Sequence, residues 1–411
     1  MQKLKSDFLN ALSERGLLHQ CTNLPGLDAR LTNGTPVSAY LGTDPTADAL
    51  HVGHLASFGM LRLFAKFGGR PVILVGGATG MIGDADKLSE RPMLDEATLA
   101  KNVAGLKRDL SKLFNFQSGA TLVNNYDWFK GIGYIEFLRD VGRHFTINEM
   151  LKKESVKIRL ERELPLSFLE FNYSLLQAYD FVHLHKAMGV DLQMFGADQW
   201  GNVVAGVSLG RKMLGAELFG LSCPLVVDSQ GKKLGKSDGN AVWLDGDRTS
   251  DLDYYQYFRN TNDADVGKML RIFTDLPISE ILKLETLSGS EINDAKKILA
   301  TEATKIIRGE KSAATAATAA ESLFSGGDAG APEVSITATP DTSLMDIIVL
   351  SNLAESKSEA RRLIEQGGIT INHDKKITDP NTKLSDITTS TELLIQKGKK
   401  TFIKIKCHPG A

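Results

Sequence analysis

Residues 37–54 read VSAYLGTDPTADALHVGH. Val37–Leu41 is a short apolar run, and Gly42-Thr43-Asp44-Pro45 after it has the composition of a turn. From Val52 to Lys66 apolar residues recur at helical spacing through Leu55, Phe58 and Leu63, and Gly68-Gly69 stop the pattern. Pro71-Val72-Ile73-Leu74-Val75 is then a continuous apolar run, as expected of a strand buried on both faces. Strand, helix and strand with short connections make a βαβ unit, and repeats of it build a parallel sheet with helices on both faces. The spacing predicts an α/β domain.

Outward from this unit, Leu192–Phe195 and Pro224–Val227 read as further strands of the same sheet, and residues 134–190 as a helical insertion between its halves. Residues 1–245 are thus expected to form the sheet domain, and 246–324 a helical domain that includes Ile278–Leu287 and Ala295–Ile307. Ala-Thr repeats over 313–320 give way to Ser325-Gly326-Gly327-Asp328-Ala329-Gly330-Ala331-Pro332, so a linker is expected over 325–341. Residues 342–411 have one helix and several strands, enough for a small α+β module.

The 411 residues suit two or three domains, and 42% hydrophobic with 24% charged residues is the balance of an ordinary globular chain. Three distant cysteines, Cys21, Cys223 and Cys407, exclude a disulfide framework, and no CxxC or HxxxH pair offers a structural zinc site. No apolar run is long enough to span a membrane, and the opening MQKLKSDFLNALSERG is a polar amphipathic helix; a soluble, cytoplasmic protein without membrane contact is expected. Net charge is −2, so any nucleic-acid contact must come from a local patch. Residues 341–411 hold eleven Lys/Arg against nine Asp/Glu, which makes the tail mildly basic.

Two segments could carry chemistry. His51 and His54, at i and i+3, share one face of the turn entering the helix, and Gly53 between them lets a planar group lie on the backbone. A helix start just beyond a parallel strand is where phosphates bind in open α/β sheets. The second segment is Gly231-Lys232-Lys233-Leu234-Gly235-Lys236-Ser237, one residue short of a Walker A loop and followed by a strand-like stretch, Asp238–Trp243, where a P-loop must open a helix. It reads better as a mobile loop that brings ammonium groups onto polyphosphate.

The two segments in this order, about 180 residues apart, resemble the signatures of class I aminoacyl-tRNA synthetases. His51-Val52-Gly53-His54 resembles the HIGH motif, and Lys233-Leu234-Gly235-Lys236-Ser237 the KMSKS motif with two internal changes. Further stretches, Tyr40–Thr46, Gly76–Asp84, Asn124–Trp128, Tyr173–Asp180 and Gly196–Asn202, make nearly the whole chain similar to the bacterial-type tyrosyl-tRNA synthetases. Residues 356–364 resemble that family's S4-like RNA-binding module. The resemblance implies a Rossmann-like catalytic domain, then a helical domain and an S4-like domain, in a homodimer.

It also implies a distribution of roles. Tyr40 and Asp180 would bond the phenolic hydroxyl of L-tyrosine; Tyr173, Gln177 and Asp84 would hold its α-amino group, with Thr79 nearby. Asp44 and Gln199 would border the reacting carboxylate, and Gly42, Gly196 and Asp198 the adenylate ribose. Thr46 and His51 would contact the phosphates of ATP, His54 the ribose side, Gly53 the flat of the nucleotide, and Lys233 and Lys236 the departing pyrophosphate. In the tail, Lys357 and Arg361 at i, i+4, with Lys397, Lys399 and Lys400, are the expected RNA contacts to tRNA(Tyr). Asp84-Ala85-Asp86-Lys87 and Phe195 depart from the family's usual residues.

The chemistry is consistent with this set. A carboxylate attacking the α-phosphate of ATP is already ionised at neutral pH and needs no general base, so catalysis must come from positioning and charge stabilisation. Mg²⁺ is expected to arrive with ATP, because no carboxylate cage is evident. Two other readings remain open. One is the same chemistry on tryptophan, which two polar groups at 40 and 180 disfavour because an indole would leave them unsatisfied. The other is an RNA-binding protein with an inactive synthetase body, against which His51, His54, Lys233 and Lys236 weigh.

Overall fold

The structure is a computed structural model that describes residues 4–85, 93–231, 234–237, 240–324, 333–372, 375–388, 390, 392–398 and 401–408. It divides into two compact units: Met1–Ser250 with Thr261–Arg308, and Asp251–Asn260 with Gly309–Ala411.

The first unit is built on a six-stranded sheet of β1 (Gln20–Cys21), β2 (Ser38–Thr43), β3 (Arg70–Val75), β4 (Thr121–Asn124), β5 (Val190–Gly196) and β6 (Phe219–Cys223). Their order is β1-β6-β5-β2-β3-β4, with β2 to β6 parallel and β1 antiparallel on β6. The expected βαβ unit is present: the helix Leu55–Lys66 joins β2 to β3 and buries Phe58, Met60 and Leu61. Val72–Val75 is buried throughout, the burial of a central parallel strand. The long helix Phe168–Met188 starts on a Ser167/Glu170 capping box and ends at Gly189 in the left-handed region.

One expected strand lies elsewhere. The sixth strand is Phe219–Cys223, and Pro224–Val227 follows it. Pro224 has no N–H to give to a ladder, so pairing ends at the residue before it. A short hairpin, β7 (Lys236–Ser237) with β8 (Asn240–Ala241), comes later.

The helical stretch expected over 246–324 is not one body. Within the run Ile292–Phe324, Gly309 adopts φ 83°, ψ 168°, outside the helical region. The residues before it group with the sheet domain, and those after it, with Asp251–Asn260, group with the tail. The linker expected over 325–341 is likewise shorter, because β9 (Glu333–Thr337) begins inside it.

The tail's sheet comprises β9, β10 (Ile369–Ile371), β11 (Lys375–Ile377), β12 (Glu392–Lys397) and β13 (Thr401–His408), in the order β11-β10-β12-β13-β9. Ile347, Ile348, Ala360, Ile364, Ile369, Ile395 and Ile405 fill its core. The helix Lys357–Glu365 is capped by Ser356: its Oγ accepts from Glu359 N at 3.3 Å, while the Glu359 carboxylate accepts from Glu355 N at 2.9 Å.

Candidate active site

Strand order reverses between β2 and β5, and open α/β sheets bind ligands outside the carboxyl ends of the strands at such a switch point. A cavity of about 250 Å³ opens there. Tyr40, Gly42, Asp44, Thr46 and His54 reach it from β2 and the turn that follows. Thr79, Asp84, Tyr173, Gln177 and Asp180 line it from the helical side, and Gly196, Asp198 and Gln199 from the end of β5. Residues scattered over 160 positions of sequence thus share one wall system.

At the deep end stands Asp180, buried, with both oxygens occupied. Trp128 Nε1 donates to Oδ1 at 3.0 Å and Asn125 Nδ2 to Oδ2 at 3.1 Å. Burial pushes the Asp180 carboxyl well above the usual carboxylate range, and these two donors pull it back. Tyr40 is directly across from Gln193 in the β2–β5 pairing, after a register shift between Ser38 and Ala39. Its ring lies edge-on to Phe181 at 5.2 Å. Burial, and then the charge of Asp180, keep the Tyr40 phenol protonated far above its ordinary range. The Tyr40 hydroxyl and the Oε1 atoms of Gln177 and Gln193 are buried without a hydrogen-bond partner among the described residues. Such atoms cost free energy unless something polar meets them, and all three belong to residues that line this cavity.

Midway, Asp44 gathers the site. Thr79 Oγ1 donates to its Oδ1 at 2.7 Å and Tyr173 OH to its Oδ2 at 2.9 Å. Gly76 makes this possible, since a Cβ there would lie 2.2 Å from both Asp44 Oδ1 and Thr79 Oγ1. Asp84 Oδ2 accepts from Asn202 Nδ2 at 2.9 Å and from Gln199 Nε2 at 3.3 Å. Lys87 and Arg91, beyond it, lie outside the described residues.

At the open end the histidine pair forms a single 3₁₀ turn, Val52–His54, capped by His51, with ring centroids 4.0 Å apart. The backbone sets the tautomer of His51: Gly53 N donates to its Nδ1 at 3.0 Å, so the neutral ring carries its proton on Nε2 and offers a donor there. His54 Nδ1 lies 3.2 Å from both the N and the O of His51, so it can accept from the one or donate to the other. Burial, and then the His51 ring, lower His54 to about 3, so it is neutral at physiological pH. The loop before the pair is braced from the helix Glu96–Leu110: Asn102 Nδ2 donates to Pro45 O at 2.9 Å, and Asp109 Oδ2 accepts from Leu50 N at 2.8 Å.

The lysine-bearing segment meets the histidine turn through backbone. Val52 N donates to Val242 O at 2.9 Å, Leu244 N to Leu50 O at 2.8 Å, and His51 pairs with Trp243. Gly235, at φ 96°, faces Gly53; a Cβ on Gly235 would lie 2.5 Å from Gly53 N. Of the two signature lysines, Lys233 lies outside the described residues, and Lys236 is described in its backbone alone, in β7.

In the tail, Lys357 and Arg361 are exposed on one helix, and Lys357 Nζ pairs with Asp346 at 2.6 Å. Lys397 is half-buried: its Nζ donates to Leu353 O at 2.7 Å and Glu359 Oε1 at 3.3 Å, so it ties β12 to the start of that helix. Lys399 and Lys400 lie outside the described residues.

Several residues at the site escape motif reading. Asn125 and Trp128 hold Asp180; the stretch Asn124–Trp128 carried the resemblance, but nothing in it pointed to that task. Gln193 is signalled only by a glutamine between Leu192 and Met194, inside the apolar run of its strand. Among the described residues no three His, Cys, Asp or Glu side chains gather as a metal cage, and no helix is long and apolar enough to cross a membrane.

This switch-point crevice, with its histidine turn, is that of a class I synthetase: residues 32–325 match the family model of class I tRNA synthetases (W and Y). Residues 324–405 match the tyrosine–tRNA ligase SYY-like C-terminal domain. A tyrosine–tRNA ligase of Wolbachia sp. subsp. Brugia malayi is 48% identical over 98% of this chain and 99% of its own length. One of Rhodospirillum rubrum is 47% identical over 99% of both. The crystal structure of a C-terminally truncated mitochondrial tyrosyl-tRNA synthetase of Aspergillus nidulans superposes with a TM-score of 0.70 at 32% identity, covering 78% of this chain and 95% of that one. The chain belongs to the tyrosine–tRNA ligase family, enzymes that activate tyrosine with ATP and charge tRNA with it.

Proposed function

We propose that the crevice between β2 and β5 is where this chain forms tyrosyl-adenylate and then passes tyrosine to the 3′ end of tRNA(Tyr). The observation that carries the assignment is the buried Tyr40 hydroxyl, unpartnered among the described residues and within the field of Asp180. A substrate phenol donates to Asp180 and accepts from Tyr40, which satisfies both; phenylalanine offers neither, and the indole of tryptophan is a donor only, with no acceptor for the Tyr40 hydroxyl. Asp84, Tyr173 and Gln177 receive the α-ammonium group, with Thr79 fixed behind them through Asp44. Asp44 and Gln199 flank the substrate carboxylate, and Gly42, Gly196 and Asp198 the ribose.

The chemistry then needs little beyond placement. A carboxylate oxygen attacks the α-phosphorus of ATP, the new O–P bond forms as the bond to the bridging oxygen breaks, and pyrophosphate leaves with those electrons. Thr46 and the Nε2–H donor of His51 stabilise the charge that builds on the phosphate in the transition state. His54 contacts the ribose side, Gly53 leaves room for the nucleotide, and Lys233 and Lys236 neutralise the pyrophosphate. Mg²⁺ enters as the ATP chelate, part of the substrate.

The C-terminal unit is proposed as the S4-like RNA-binding module, with Lys357, Arg361, Lys399 and Lys400 as phosphate contacts. Lys397 serves the fold first, given its bonds to Leu353 and Glu359. A homodimer is supported by exposed large apolar side chains on the helical insertion, among them Tyr134, Ile135, Ile147, Leu160 and Phe168. A cytoplasmic location follows from a role in protein synthesis. Exchange of labelled pyrophosphate into ATP with tyrosine, tryptophan and phenylalanine in turn tests the assignment: exchange with tyrosine alone supports it, and exchange with tryptophan at a comparable rate refutes it.

A further inference from the structure

Behind Asp84 lies a polar chain that none of the roles above uses. Asn202, in the first turn of the helix Trp200–Leu214, is buried. Its Nδ2 donates to Asp84 Oδ2 at 2.9 Å and to Gln199 Oε1 at 2.8 Å. Its Oδ1 accepts from Lys153 Nζ. Lys153 is the half-buried residue that precedes the helix Glu154–Glu161 of the insertion. Burial lowers the Lys153 pKa, and the charge of the Asp84 carboxylate opposes that shift.

An asparagine amide has a donor end and an acceptor end, and a half-turn exchanges them. An ammonium has three donors and no acceptor, so it can rest only on the oxygen. While Lys153 holds Oδ1, Asn202 must present its NH₂ to Asp84. Without Lys153 the oxygen is buried with that bond lost, and the amide is held through its NH₂ alone, by Asp84 and by Gln199 Oε1. An amide with a buried unpartnered oxygen shifts to meet another donor, and Asp84, whose other donor is Gln199 Nε2 at 3.3 Å, then loses the shorter of the two bonds that fix its direction.

We infer that Lys153 is a positioning residue for tyrosine recognition, which orients the Asp84 carboxylate toward the substrate ammonium by locking the amide of Asn202. The inference rests on the reading of Asp84 as a receptor for that ammonium. It also makes a choice of sign. Charge alone predicts that removing a cation near Asp84 strengthens the binding of an incoming ammonium, whereas orientation predicts that it weakens it.

The test uses the full-length enzyme and three ligands measured by equilibrium binding: tyrosine, tyramine, which keeps the ammonium, and 3-(4-hydroxyphenyl)propionate, which lacks it. Lys153→Met should weaken tyrosine and tyramine by about tenfold, the order expected when a buried hydrogen-bonded group loses its partner. It should leave 3-(4-hydroxyphenyl)propionate within about twofold, which also reports that the pocket is folded. Lys153→Arg, another all-donor cation, should retain most of the affinity. Asn202→Ala should follow Lys153→Met, and adding Lys153→Met to Asp84→Asn should cost no more. Tighter or unchanged tyrosine binding in Lys153→Met overturns the inference, as does equal weakening of all three ligands. If Asp84→Asn itself weakens tyrosine no more than the propionate, the ammonium reading of Asp84 falls and takes the inference with it.

Discussion

Tyr40 on β2 lies directly across from Gln193 on β5, and each carries a buried polar atom without a partner among the described residues. The pairing depends on the register shift between Ser38 and Ala39, since a one-residue slip would turn Tyr40 to the other face of the sheet. Cross-strand geometry thus delivers two unsatisfied groups to one cavity, and a substrate with polar atoms at matching places relieves both.

Asn125 holds this deep end together by giving one amide to Asp180 Oδ2 and to Thr79 Oγ1, each at 3.1 Å. Asn125→Ala strips a buried carboxyl of one of its donors. A stability loss of about 1–3 kcal/mol in chemical denaturation is expected. Tyrosine should also lose part of its advantage over phenylalanine, because Asp180 is freer to turn from the pocket. Unchanged discrimination at reduced stability would leave Asn125 with a structural task alone.

The depressed His54 ring gives the fold a defined acid sensitivity. In the unfolded chain the ring binds a proton near its ordinary value of 6.5, in the folded chain only at about 3. Between those limits the unfolded state binds more protons, so stability falls as pH falls through 6.5. The contribution at pH 5 is on the order of 1–2 kcal/mol. His54→Asn keeps an acceptor for the His51 amide and removes the titration. Denaturation midpoints of parent and variant should therefore converge or cross between pH 7.5 and pH 5, and parallel curves would contradict the assignment.

Gly235 and Gly231 both have positive φ, at 96° and 79°, but only Gly235 faces the histidine turn. Alanine at either position pays the same kind of backbone strain, about 1–2 kcal/mol. At 235 it also drives a methyl into the backbone of Gly53. Gly235→Ala should therefore slow pyrophosphate exchange far more than Gly231→Ala. Equal effects would mean that contact between the two signature segments is not needed for activity.

Cutting the chain near Ala331 should leave tyrosine activation largely intact and remove most tRNA charging. The cut uncovers Leu252 and Leu323, which pack on Leu394 and Phe402, so some loss of solubility is also expected. In the intact enzyme, replacing Lys357 and Arg361 together should reduce the salt dependence of tRNA affinity by about two phosphate contacts. Normal charging by the truncated enzyme would exclude the tail as an RNA module.

The sequence made the catalytic layout legible where local pattern and chemistry coincide. The run Pro71–Val75 could only be a buried strand, and two histidines around a glycine at a β–α turn could only be read as a phosphate-side device or as idle surface. Tyr40 through His54 were placed by adjacency to that turn. Asn125, Trp128 and Lys153 were not, because their work is done across 49 or more residues of chain, by hydrogen bonds that no spacing encodes. The misplaced strand at Pro224–Val227 has a similar origin: apolar content outweighed the missing N–H of Pro224. The division at Gly309 was invisible because a glycine inside a helical pattern is usually tolerated.

The central claim is that Tyr40 and Asp180 read the substrate hydroxyl, and competition between tyrosine and phenylalanine in pyrophosphate exchange tests it most directly. Tyr40→Phe removes one of the two partners. The tyrosine preference, as a ratio of kcat/KM values, should fall by about 0.5–1.5 kcal/mol, roughly two- to twelvefold, with exchange on phenylalanine little changed. A Tyr40→Phe enzyme that prefers tyrosine as strongly as its parent would contradict the account and make Tyr40 a packing residue on Phe181.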